Sequence, residues 1–132
     1  MMTPNVKLLA GIALAIASAA PAVAADPSQP RPVTVVASEY EFSPTKLSFK
    51  RGVAYRLHIE NHGKETHEFH APAFFASVEL ADPTVLNADK TEIVIQPGEA
   101  KDLSFVAKKP GRYKLICSDH DWAGMTGAIT VK

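Results

Sequence analysis

The sequence predicts an all-β fold, an antiparallel sandwich or barrel. Short segments alternate apolar and polar residues with a period of two, and glycine and proline punctuate the gaps between them. No long amphipathic helix, internal repeat or low-complexity tract competes with that pattern. The chain of 132 residues has room for one modest domain.

The first segment stands outside that domain. Lys7 precedes the apolar run LLAGIALAIASAA, and Ala22-Val23-Ala24 offers the small residues of a cleavage site. Residues 1–24 are expected to be a secretory signal peptide, its apolar run too short for a spanning helix. The protein is therefore expected to be exported and periplasmic. Residues 25–32, with three prolines, are expected to form a flexible lead-in, and the domain is expected over 33–132.

Within the domain, VTVVASEYEF (33–42) alternates in part, and TKLSF (45–49) ends at Lys50-Arg51-Gly52. AYRLHIE (54–60) places Tyr55, Leu57 and Ile59 on one face and Arg56, His58 and Glu60 on the other. EIVIQ (92–96) stops at Pro97-Gly98, and DLSFVA (102–107) stops at Lys108-Lys109-Pro110-Gly111. RYKLIC (112–117) alternates again, and GAITV (127–131) closes the set. Residues 72–89 lack the pattern; one short helix around Phe74–Leu80 and a loop are expected there. The aromatic residues Phe49, Tyr55, Phe69, Phe105 and Tyr113 are the expected core anchors.

Charge is balanced at 14 basic against 14 acidic residues, and 13 against 14 once Lys7 is removed. That balance argues against nucleic acid or an anionic membrane surface as partner. Removing Met1 and Met2 leaves Met125 as the one methionine, and Cys117 is the only cysteine of the chain. Export brings a thiol where thiols oxidise, yet one cysteine makes no internal disulfide. Such a thiol is expected to be buried or bound to metal.

The stretch CSDHDWAGM (117–125) favours metal. Cysteine thiolate and methionine thioether are soft ligands, and imidazole is borderline. Taken singly, Cys117 would be a small buried hydrophobe, Met125 core filler and His120 a surface histidine. Together, at this spacing, they supply three of the four ligands of a trigonal site with a weak axial methionine. Alternation in RYKLIC turns Cys117 to the core side with Tyr113 and Leu115. Alternation in THEFHAP turns His67 inward with Phe69, so His67 is the expected fourth ligand, preferred to His70 and His62. His58 is expected on an exposed strand face. Zinc would accept the two histidines and the cysteine but has little use for Met125, which tilts the choice to copper. A catalytic Cys–His pair would need an orienting third residue and an oxyanion loop, and nothing resembles either. The protein is expected not to be an enzyme.

The pattern Pro110-Gly111-x-Tyr113-x-x-x-Cys117-x-x-His120-x-x-x-Gly124-Met125-x-Gly127-x-Ile129-x-Val131 resembles the C-terminal segment of plastocyanins and related small cupredoxins of the azurin kind. Asn61-x-Gly63 leading to His67, and Pro97-Gly98-Glu99 before a strand, are also similar to that family. The resemblance implies a Greek-key β-sandwich of about eight strands with one short helix or loop insertion. It implies one mononuclear type 1 copper per chain, held by His67, Cys117 and His120 in the equator and Met125 on the axis. It also implies single-electron carriage by Cu(II)/Cu(I) cycling, with a cytochrome or copper oxidoreductase as redox partner. The alternative is periplasmic copper binding for tolerance, storage or delivery. A monomer is expected, with no nucleic acid and no membrane insertion after signal cleavage. His120 is expected to present its ring edge to solvent as the electron port, and Trp122 either contacts a partner or caps the core. Two positions depart from the family pattern: Glu68 follows the first histidine where asparagine is common, and Asp119 precedes the second where proline is usual. Both are expected to make the exposed ligand edge more acidic.

Overall fold

A computed structural model describes residues 18–20 and 29–132. The signal peptide expected over residues 1–24 falls outside the described residues except for 18–20.

Ten strands form the domain: β1 (Arg31–Ser38), β2 (Glu41–Ser43), β3 (Lys46–Phe49), β4 (Ala54–Asn61), β5 (His67–His70), β6 (Val78–Leu80), β7 (Glu92–Ile95), β8 (Ala100–Ala107), β9 (Gly111–Ile116) and β10 (Thr126–Val131). One sheet has the order β2-β1-β4-β8-β6, the other β3-β10-β9-β5-β7. Strands β1 and β4 run parallel, as do β3 and β10, and the remaining pairs are antiparallel. From β3 to β9 each strand lies in the sheet opposite its predecessor. The chain thus winds around the core rather than along one layer.

Three segments differ from the sequence expectation. Residues 33–42 are two strands, because the turn at Glu39-Tyr40 folds β2 back on β1 with Val36 opposite Ser43. The first strand starts at Arg31, inside the expected lead-in, since Arg31 and Pro32 already pair with Tyr55 and Arg56. Proline is tolerated near a strand start, where a missing donor costs little. The expected helix is only α1 (Pro72–Phe75), and Val78–Leu80 is strand β6. Pro72 favours a helix start, and the Ser77 hydroxyl donates to Phe74 O at 2.7 Å as the turn ends. Val78 and Leu80 then pair with Ala107 and Phe105 on the edge of β8. A short apolar run does not distinguish strand from helix by period.

The alternating faces meet as expected. Tyr55, Leu57 and Ile59 are buried against Leu103, Phe105, Ile93, Ile95, Leu115 and Ile129 from the two sheets. Phe49 packs edge-on to Tyr55 and Phe105 with ring centroids 4.9 and 5.0 Å apart, and Phe74 lies 5.3 Å from Phe105. Tyr113 is half-buried at one side of this cluster, and its hydroxyl donates to Lys109 O at 2.7 Å. Phe42 and Phe69 pack at 5.8 Å beneath the loops that carry the site.

Candidate metal centre

The register of β1 and β4 brings their C-terminal ends to one end of the sandwich, with Ala37 opposite Asn61. The β1–β2 turn, the 62–66 connection into β5 and the 117–125 connection between β9 and β10 meet there. Asn61 fixes the middle one. It is 1% exposed, its amide donates to Glu65 O at 2.8 Å and Ile95 O at 2.9 Å, and its oxygen accepts from Gly63 N at 2.8 Å. A buried amide with all these partners satisfied defines one loop conformation.

The 117–125 connection closes on itself. Cys117 N donates to Met125 O at 2.9 Å, His120 N donates to Cys117 O at 3.2 Å, and Met125 N donates to His120 O at 3.3 Å. A 3-10 turn over Asp121–Ala123 follows His120 and ends at Gly124, whose φ of 81° is left-handed. Glycine there lets the chain return so that Met125 goes inside.

The four expected ligands come to this end of the molecule. His67, Cys117 and Met125 have no exposed surface, and the His120 side chain is 12% exposed. Ligand atoms of His67, Cys117 and His120 all lie within 4.8 Å of one another. The Cys117 Sγ is 3.9 Å from His67 Nδ1 and 3.4 Å from His120 Nδ1, and the two imidazoles meet edge to face at 5.1 Å. Met125 is joined to both Cys117 and His120 through its backbone. Two nitrogens and a sulfur drawn to one point, in a loop that also carries buried Met125, fit one soft-to-borderline metal ion.

The other histidines lie elsewhere. His58 sits on the outer face of β4 between Asp102 and Glu60, at 2.9 and 3.1 Å. His62 is exposed and paired with Glu60, and His70 pairs with Glu92 at 3.1 Å.

The surroundings of the sulfur correct one expectation. Glu68 is 5% exposed and lies beneath Cys117 rather than on the outer ligand edge. Its backbone N–H donates to Sγ at 3.4 Å, the thiol donates to its Oε2 at 3.1 Å, and Asp119 N donates to the same oxygen at 3.4 Å. Alternation failed here because the outer face of β5 at Glu68 is covered by the 117–125 connection rather than by solvent. Burial pushes the Cys117 thiol up to about 11, and the Glu68 carboxylate adds to the rise, while the Glu68 amide opposes it. Asp119 itself is exposed, as expected.

His120 does not present a free ring edge. Its Nε2 lies 2.7 Å from Glu65 Oε2, and the Tyr40 ring lies 4.9 Å from it. The Tyr40 hydroxyl donates to Glu65 Oε1 at 3.2 Å, an acceptor that also raises the phenol above its ordinary range. Trp122 is 75% exposed, so it does not cap the core; its indole N–H donates to Asp119 O at 2.9 Å. Behind His67, Glu39 Oε1 lies 3.1 Å from Nε2 and accepts from Lys64 N and Glu65 N at 2.7 and 2.9 Å. The Glu65 and Lys64 amides and His67 hold the Glu39 carboxyl below its ordinary range. Sequence reading missed Glu39 and Tyr40. The only trace they leave is the broken alternation within 33–42.

The chain matches the cupredoxin-like domain family over residues 7–131. No curated protein matches it in sequence. Among solved structures, it is similar to auracyanin B at 23% identity and a TM-score of 0.57, over 83% of this chain and 93% of that one. Auracyanin A, described as a "blue" copper protein from Chloroflexus aurantiacus, is similar at 21% identity and a TM-score of 0.58, over 79% of this chain and all of that one. A multicopper oxidase from Campylobacter jejuni, a metallo-oxidase, is similar at 19% identity and a TM-score of 0.60; the likeness covers 83% of this chain but only 32% of the oxidase. At these identities the likeness is one of fold.

Proposed function

The chain belongs to the cupredoxin-like family, and from that premise we propose that it holds one copper ion at His67, Cys117, His120 and Met125 and carries single electrons between redox proteins. The observation that carries this reading is the donor set: two imidazole nitrogens and one thiol sulfur within 4.8 Å, all at the end where Met125 is buried. Thiolate and thioether favour copper, and zinc would gain little from methionine. Copper bound there supplies a site that accepts and releases one electron.

The chain's own part is rigidity. His67 stands on a strand, while Cys117, His120 and Met125 share a loop closed by three backbone hydrogen bonds, so the donors stay in place when the charge of the site changes. Exposed Trp122 and Tyr40 beside His120 provide an aromatic surface for a redox partner such as a cytochrome or a copper oxidoreductase. A periplasmic carrier agrees with the signal-like first segment. Among the described residues no helix is long and apolar enough to cross a membrane.

The test is an optical and EPR spectrum of the copper-loaded chain. An intense visible band from thiolate-to-Cu(II) charge transfer is expected, and it should vanish in Cys117→Ser. A colourless Cu(II) complex, or colour that survives the substitution, overturns the assignment. Rapid electron exchange with a cytochrome separates a carrier from a copper-delivery protein, which would be redox-inert and give up its metal.

A further inference from the structure

Both ligand imidazoles are backed by a carboxylate. Glu39 Oε1 lies 3.1 Å from His67 Nε2, and Glu65 Oε2 lies 2.7 Å from His120 Nε2. A neutral imidazole has one N–H and one bare nitrogen, and a carboxylate can only accept. The proton is thereby held on Nε2 in each ring. The bare nitrogen is then Nδ1, the one facing Cys117 Sγ in both histidines.

We propose that Glu39 and Glu65 are positioning residues that preset His67 and His120 as Nδ1 donors and strengthen both toward the oxidised ion. The proposal rests on the metal centre assigned above. A carboxylate on the far nitrogen draws the N–H proton toward itself and leaves the ring more electron-rich, which raises ligand basicity. The more electron-rich ring favours the more highly charged ion, so Cu(II) gains more than Cu(I) and the potential falls.

The Glu39 arrangement is built into the loop. Three donors, the amides of Lys64 and Glu65 and the His67 ring, converge on one carboxylate oxygen. A Cβ at Gly63 would overlap that same carboxylate, so the loop leaves a side-chain-free position where Glu39 lies. Its neighbour Tyr40 anchors Glu65 by its hydroxyl and covers the His120 ring. Two adjacent residues of the β1–β2 turn thus act on two ligands, one directly and one through Glu65.

The experiment joins a tautomer measurement to a potential. Nitrogen-15 NMR of the metal-free full chain should show both His67 and His120 as Nε2–H tautomers; an Nδ1–H tautomer at either position overturns the proposal. In the copper-loaded chain, Glu39→Gln and Glu65→Gln keep the shape and remove the charge. Each should lower Cu(II) affinity by about 10–100-fold and Cu(I) affinity less, with the potential rising by about 59 mV for each tenfold difference. Tyr40→Phe should move the potential the same way by less. Glu65 is 47% exposed, so its variant tests the idea even where Glu39→Gln disturbs the loop. A folded Glu65→Gln with wild-type potential and affinity overturns the proposal and leaves the metal centre standing. A wild-type chain that binds no copper overturns the metal centre itself.

Discussion

Cys117 holds its proton far above neutrality, at a value of about 11, because its sulfur is buried beside Glu68. A cation that binds thiolate must displace that proton. From pH 7 to pH 9 the apparent copper affinity should therefore rise about tenfold per pH unit, and acidification should release the metal. Competition titrations against a chelator of known affinity check the slope; a flat profile would mean that the thiol is already ionised. Residues at this scale were unevenly legible. The spacing of Cys117, His120 and Met125 names soft donors directly, and inward alternation beside Phe69 singles out His67. Glu68 was misjudged because side-chain alternation assumes one wet face, and β5 enters between two covered ones. Glu39 reaches His67 across 28 positions, a distance no local pattern encodes.

At the scale of elements, the loop from β4 to β5 depends on one side chain. Asn61→Ala would leave Gly63 N, Glu65 O and Ile95 O without their partner. Of these, Ile95 O is buried, while Glu65 O and Gly63 N are partly reached by water. A buried group left unpaired costs about 1–3 kcal/mol and an ordinary hydrogen bond about 1 kcal/mol, so the substitution should lower stability by roughly 2–4 kcal/mol in denaturant unfolding and shift the His120 environment through Glu65. Strands with clean period-two patterning, β4, β8 and β10, were legible because one face packs on the core. The Glu39-Tyr40 turn and strand β6 were not. The turn lies inside a β-favourable run without glycine, and β6 exists because the edge of β8 needs a partner, which is a tertiary demand.

For the whole molecule, the ligands come from strands and loops of a chain that crosses between sheets, and His67 and Cys117 are 50 positions apart. The donors meet only when the sandwich is complete, so copper binds the native state and adds to its stability. At free copper a hundredfold above Kd the gain is about 2.7 kcal/mol, and Tm should rise by roughly 10–20 °C in calorimetry. Chelation should reverse the rise; an unchanged Tm would mean that the centre contributes nothing to the native state. Trp122, the sole tryptophan of the chain, stands in water with its ring 6.0 Å from Tyr40, which itself lies against His120. It should therefore emit at long wavelength as a built-in lamp beside the metal, dimmed by energy transfer into a coloured ion, so that filling or bleaching of the centre should become visible as fluorescence without any attached dye.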